Sequence, residues 1–100
     1  MKYDKLVRDK IPEIILQKGG KPVAHVADAN KYWEKLKEKL QEEVAEFIKD
    51  ETMEEIADIL EVVEAISAYK GFDALELQTV KHKKAEERGK FEKRIILYES

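Results

Sequence analysis

Cysteine is absent from these 100 residues, which excludes disulfides, thiolate metal sites and cysteine nucleophiles. Proline occurs twice and glycine four times, too seldom for a linker or a low-complexity stretch. No apolar run approaches the roughly 20 residues that span a bilayer, and no signal-peptide pattern opens the chain. A cytoplasmic protein with no membrane partner and no stable nucleic-acid partner is therefore expected. Gly19-Gly20 is a turn signal without the Gly-x-x-x-x-Gly-Lys-Ser/Thr spacing, so a P-loop is excluded. The few serines and threonines stand in no recognisable nucleophile arrangement.

What the chain does have is charge. Asp, Glu, Lys and Arg make up 41% of it, and the net charge of −3 hides a segregation. Glu34 to Glu64 holds twelve acids and four lysines, giving −8. Lys81 to Arg94 holds seven Lys or Arg and three Glu, giving +4. An acidic centre between basic ends suits a metal bound to a polyanion, with the cations meeting phosphates. The plainer alternative is that the ends neutralise the middle within the fold.

One hundred residues make a single domain. Pro12 opens a short helix that Gly19-Gly20 ends near Lys18. Asp28 or Asn30 starts a long helix to about Lys49. Thr52 caps a second, running to about Lys70 before Gly71, with Glu55 at the capping-box position. Asp73 caps a third long helix to about Glu87. The β-branched segment 22–27 and the tail 91–98 are expected to pair as a minor β-ribbon. The fold class is all-α, a helical bundle with that small ribbon attached.

Four carboxylates stand out: Glu43 and Glu46 on one long helix, Glu55 and Asp58 on the next. Residues three apart share a helix face, so two antiparallel helices could aim all four at one point. Such a cluster repels itself unless a cation sits in it, and hard oxygen ligands suit magnesium. At about 100° per residue, Trp33, Leu36, Leu40, Val44, Phe47 and Ile48 lie on one apolar stripe, with Glu43 at its edge. On the next helix Glu55 falls inside the apolar arc, between Ile66 and Val62, and Asp58 lies just beyond Val62. Unpaired acids are seldom buried, so this departs from a plain amphipathic helix. Capping alone is the competing account of Glu55.

Glu42-Glu43-x-x-Glu46 followed by Glu55-x-x-Asp58 resembles the all-α nucleoside triphosphate pyrophosphatase superfamily, which includes MazG. The opening, Tyr3 through Pro12, and the closing stretch, Lys84 to Phe91 with Ile95-Ile96-Leu97, resemble a MazG-like house-cleaning branch. One departure is Lys90, where the family form carries a second glycine. The resemblance implies magnesium-dependent hydrolysis of a non-canonical nucleoside triphosphate to its monophosphate and pyrophosphate. By matching positions, Glu43, Glu46, Glu55 and Asp58 would be the catalytic metal ligands for Mg2+, with Mn2+ as the substitute ion.

Arg8 and Lys10 in the opening motif, and Lys84 and Arg88 in the closing one, are the candidate phosphate contacts. Arginine grips phosphate oxygens with two donors, and lysine acts as a point charge. For each, solvation or an ion pair with the acidic helices is the competing account. His25 and His82 read as surface or packing residues, and Trp33, Tyr32 and Phe47 as core or dimer contacts. Broad apolar arcs on both long helices point to a homodimer or higher homo-oligomer, as the resemblance also does. Two alternatives stay open: phosphoribosyl-ATP pyrophosphohydrolase, and a non-catalytic helical interaction module.

Overall fold

A computed structural model describes residues 4–100, so Tyr3 of the opening motif lies outside the described residues. Four helices follow one another: α1 Ile11–Gln17, α2 Ala29–Asp50, α3 Met53–Lys70 and α4 Ala74–Arg88. The all-α expectation holds, and each boundary has a local cause. The Asp28 carboxylate accepts from the Lys31 N–H at 2.8 Å and starts α2. Glu51, in the left-handed region at φ 55°, ends it and donates its N–H to the Phe47 carbonyl at 2.7 Å. One residue later Thr52 Oγ1 accepts from the Glu55 N–H at 3.2 Å. The chain therefore reverses within two residues, which forces α3 back along α2. At the far end Gly71, φ 72°, closes α3 with the paired bonds of a Schellman motif, Phe72 N–H to Ser67 and Gly71 N–H to Ala68. Asp73 then caps α4 through the Glu76 N–H at 2.9 Å.

The α2–α3 hairpin is the packed unit, and contacts between the other helices are slight. Its hydrophobic centre is Leu36, 1% exposed, with Val62 beside it. Tyr69 of α3 stacks on Trp33 of α2 at 5.0 Å between ring centroids and meets Tyr32 edge-on at 5.8 Å. Those rings join the two helices at the open end of the hairpin, with Trp33 and Tyr32 half-buried. Before α1, the segment from Asp4 to Lys10 crosses the hairpin and is tied down by charges. Lys35 Nζ reaches both the carbonyl and the carboxylate of Asp4, at 2.7 and 3.3 Å. That pairing holds the Asp4 carboxyl below its usual range.

The β-ribbon does not form. Among the described residues there is no strand, and 22–27 and 91–98 are irregular. Val23 and Val26 are almost wholly exposed, and the large apolar side chains of the tail are 74–98% exposed. β-Branched composition favours a strand only where a partner backbone and a buried face are on offer, and an isolated two-stranded ribbon is marginal in water. Also, α4 buries none of its residues. The molecule measures 55 × 31 × 23 Å, an elongated shape for a chain of this length. Among the described residues no helix is long and apolar enough to cross a membrane.

Candidate metal centre

Glu43, Glu55 and Asp58 each offer a carboxylate oxygen, and these atoms lie within 4.8 Å of one another. Glu43 sits seven residues after Leu36, two helical turns along the same face. That spacing carries it into the interface, where it is 6% exposed. Glu55 and Asp58 are half-buried on the opposing helix. Two caps and a two-residue turn thus bring acids from separate helices to one place.

The Glu43 carboxylate is asymmetrically served. Lys39 Nζ, one turn earlier, approaches its Oε1 at 3.3 Å. Its Oε2 is buried with no hydrogen-bond partner among the described residues. Such an atom costs roughly 1–3 kcal/mol unless something meets it. Glu55 is also held uncomfortably. Its carboxyl is pushed above the usual range by burial, then by the charges of Glu46, Asp50 and Asp58. Thr52 Oγ1 accepts from the Glu55 N–H, but among the described residues the Thr52 N–H makes no reciprocal hydrogen bond to the Glu55 carboxylate. Capping alone therefore leaves the Glu55 side chain unexplained.

Glu46 stands apart from the converging three. Three residues of helix turn it about 60° away from Glu43, and it is exposed while staying close enough to raise Glu55's pKa. Glu42 is an outer acid, tied to Lys5 at 2.9 Å and Lys39 at 3.4 Å. Burial pushes its carboxyl up, but those two lysines outweigh it and hold the pKa below the usual range.

The basic residues divide. Arg8 lies at the centre, with Nη2 2.8 Å from Asp58 Oδ1 and Nη1 3.6 Å from Glu61 Oε1. A cleft of about 380 Å³ opens there, lined by Arg8, Lys39, Glu43, Asp58 and Glu61 with Leu36 and Val62 beneath. Lys10 is exposed beside the start of α1. Lys84 and Arg88 are exposed on α4, and none of these three lines the cleft. α4 runs off the hairpin after Gly71, which leaves the closing motif away from the acids in a single copy. Sequence reasoning missed Lys39. Its signal was legible in the spacing Lys39-x-x-Glu42-Glu43, which places one cation beside two acids on the same face.

The donor set is all hard oxygen, the kind magnesium takes, and it includes a buried Glu43 oxygen that no described group meets. These residues fit a divalent cation. No family model matches the chain, and no solved structure matches it. Over 41 residues, 41% of the chain, it is 51% identical to an uncharacterised protein of Mycolicibacterium smegmatis (strain ATCC 700084 / mc(2)155). That stretch is 42% of the relative, so the chain spans under half the length of the curated relative it matches.

Proposed function

We propose that this chain is a MazG-like, magnesium-dependent nucleoside triphosphate pyrophosphohydrolase, acting on a non-canonical nucleotide and releasing the monophosphate and pyrophosphate. The observation that carries the reading is the buried, unpartnered Glu43 oxygen inside a three-acid group. Glu43, Glu55 and Asp58 would hold the ion. Magnesium there, or manganese in its place, would neutralise the acids and the charge that develops on phosphate oxygens. Glu46, outside the three and open to water, is the carboxylate assigned to orienting the attacking water. Arg8 and Lys39 face the cleft and supply positive charge to the phosphates. With no cysteine and no activated serine, water is the nucleophile. The cytoplasm, where such nucleotides arise, is the compartment this reading implies.

We also propose that the working unit is a homo-oligomer, most simply a homodimer. The chain exposes 9519 Å², whereas a compact monomer of its mass exposes roughly 5,900 Å². That surplus is about twice the area a standard interface buries in total. On the hairpin face turned away from the acids, Ile48, Met53 and Leu60 are all more than half exposed. A second copy laid on that face would complete a four-helix core.

The test is pyrophosphate release from a panel of standard and modified nucleoside triphosphates and phosphoribosyl-ATP, with and without Mg2+. Metal-dependent release that disappears in Glu55→Gln is expected. Release from phosphoribosyl-ATP alone would move the assignment to that hydrolase. No release from any substrate by folded protein would favour the non-catalytic module.

A further inference from the structure

We propose that Arg8 is the acid site's own counter-ion, a positioning residue that holds Asp58 when no divalent cation is bound and yields it when one arrives. The inference rests on the reading that the three acids take a divalent cation. Asp58 belongs to the converging group, yet its Oδ1 already accepts from Arg8 Nη2 at 2.8 Å. A guanidinium and a divalent ion on one carboxylate repel each other across a few ångströms, so the two compete for Asp58.

The surroundings make that exchange cheap. The Arg8–Asp58 pair is partly open to solvent, with side chains 55% and 39% exposed, and such pairs are worth little. Glu61, one turn beyond Asp58 on α3, already receives the second arm of the guanidinium at 3.6 Å. Arg8 can therefore let go of Asp58 without becoming unpaired. Its backbone stays in place, because Lys35 holds Asp4 and Lys5 holds Glu42 on the same segment. The released guanidinium still borders the cleft, on the side where an incoming polyanion would meet it. Lys39 lies against Glu43 and Glu42, at 3.3 and 3.4 Å, and takes no part in the Asp58 pairing.

The experiment measures Mn2+ affinity of the full chain, by titration calorimetry or by the paramagnetic signal of unbound Mn2+, without nucleotide. Wild type is compared with Arg8→Gln, Arg8→Lys and Glu55→Gln, each checked for helicity by circular dichroism. Arg8→Gln is expected to bind Mn2+ several-fold more tightly, Arg8→Lys to stay near wild type, and Glu55→Gln to lose binding. The wild-type-to-Gln gap should shrink at high salt, as competition between charges requires. Wild type that binds with unchanged or weaker affinity in Arg8→Gln would overturn the counter-ion role and leave the metal site standing. No binding by any of the four would overturn the metal site, and this inference with it.

Discussion

Lys39 Nζ lies 3.3 Å from Glu43 Oε1, while the other oxygen of that carboxylate is buried without a partner among the described residues. One cation thus serves half of a buried anion. The lysine side chain is itself 16% exposed, so the pair is poorly screened by water.

Removing only the cation should therefore be costly. Lys39→Met is expected to destabilise the metal-free fold by about 3–5 kcal/mol, the cost of leaving a buried charge without its partner. Lys39→Met combined with Glu43→Leu should recover most of that loss, because a packed apolar pair is often as stable as the ionic one. Urea unfolding of the two variants reads this directly. A Lys39→Met midpoint equal to wild type would mean that Glu43 draws nothing from the lysine.

Glu55 gives the fold a pH dependence of definite sign. Its folded pKa is raised above the ordinary 4.5, so the folded state favours the protonated form. The stability Glu55 contributes is present below its unfolded pKa and is lost as pH rises through the folded pKa. Without divalent ions, wild type should fall relative to Glu55→Gln across that window, just above the usual glutamate range. Melting temperatures of both proteins, measured from pH 4 upward with chelator present, test it. Parallel curves would show that the surrounding acids exert no strain on Glu55.

A ligand that relieves this strain must stabilise the fold. Mg2+ with a bound nucleoside triphosphate at a hundredfold excess over its Kd should add about 2.7 kcal/mol. In Glu55→Gln that gain should vanish while the metal-free protein stays folded. Thermal unfolding with and without the ligand pair separates an enzyme site from acids that only solubilise.

Oligomerisation should depend on the apolar back of the hairpin. Light scattering is expected to give twice the 11.7 kDa chain mass for wild type. Leu60→Glu, placing a charge on a side chain already 62% exposed, should lower that mass without harming a single copy. A wild type that stays monomeric at high micromolar concentration would remove the homodimer from consideration. Leu36→Ala is the contrasting change. It empties the most buried position and should cost about 2–5 kcal/mol, whatever the assembly state.

The helix boundaries were legible because their causes are local. Asp28, Thr52, Gly71 and Asp73 act through hydrogen bonds reaching no further than five residues, so their identity and spacing are enough. Glu55 was legible for a related reason: it breaks the apolar periodicity that its own helix sets, whereas Glu43 reads only as the edge of its stripe. The ribbon was misread because pairing depends on a remote partner backbone, and 22–27 has none. Lys84 and Arg88 illustrate the same limit. Their motif is visible, but where α4 goes after Gly71 is not a local matter.

By itself, then, the sequence determined an all-α chain, the hairpin reversal at Asp50–Thr52 and the place of Glu55 inside an apolar arc. Those follow from backbone capping and side-chain period, which act over one or two turns of helix. Only the tertiary structure decided that three acids converge and Glu46 stands aside, that Lys39 shares Glu43, and that Arg8 reaches Asp58 from fifty residues away. Charge pairing over such a separation is set by which surfaces the packed hairpin leaves in reach. Spacing along a chain carries no such distance.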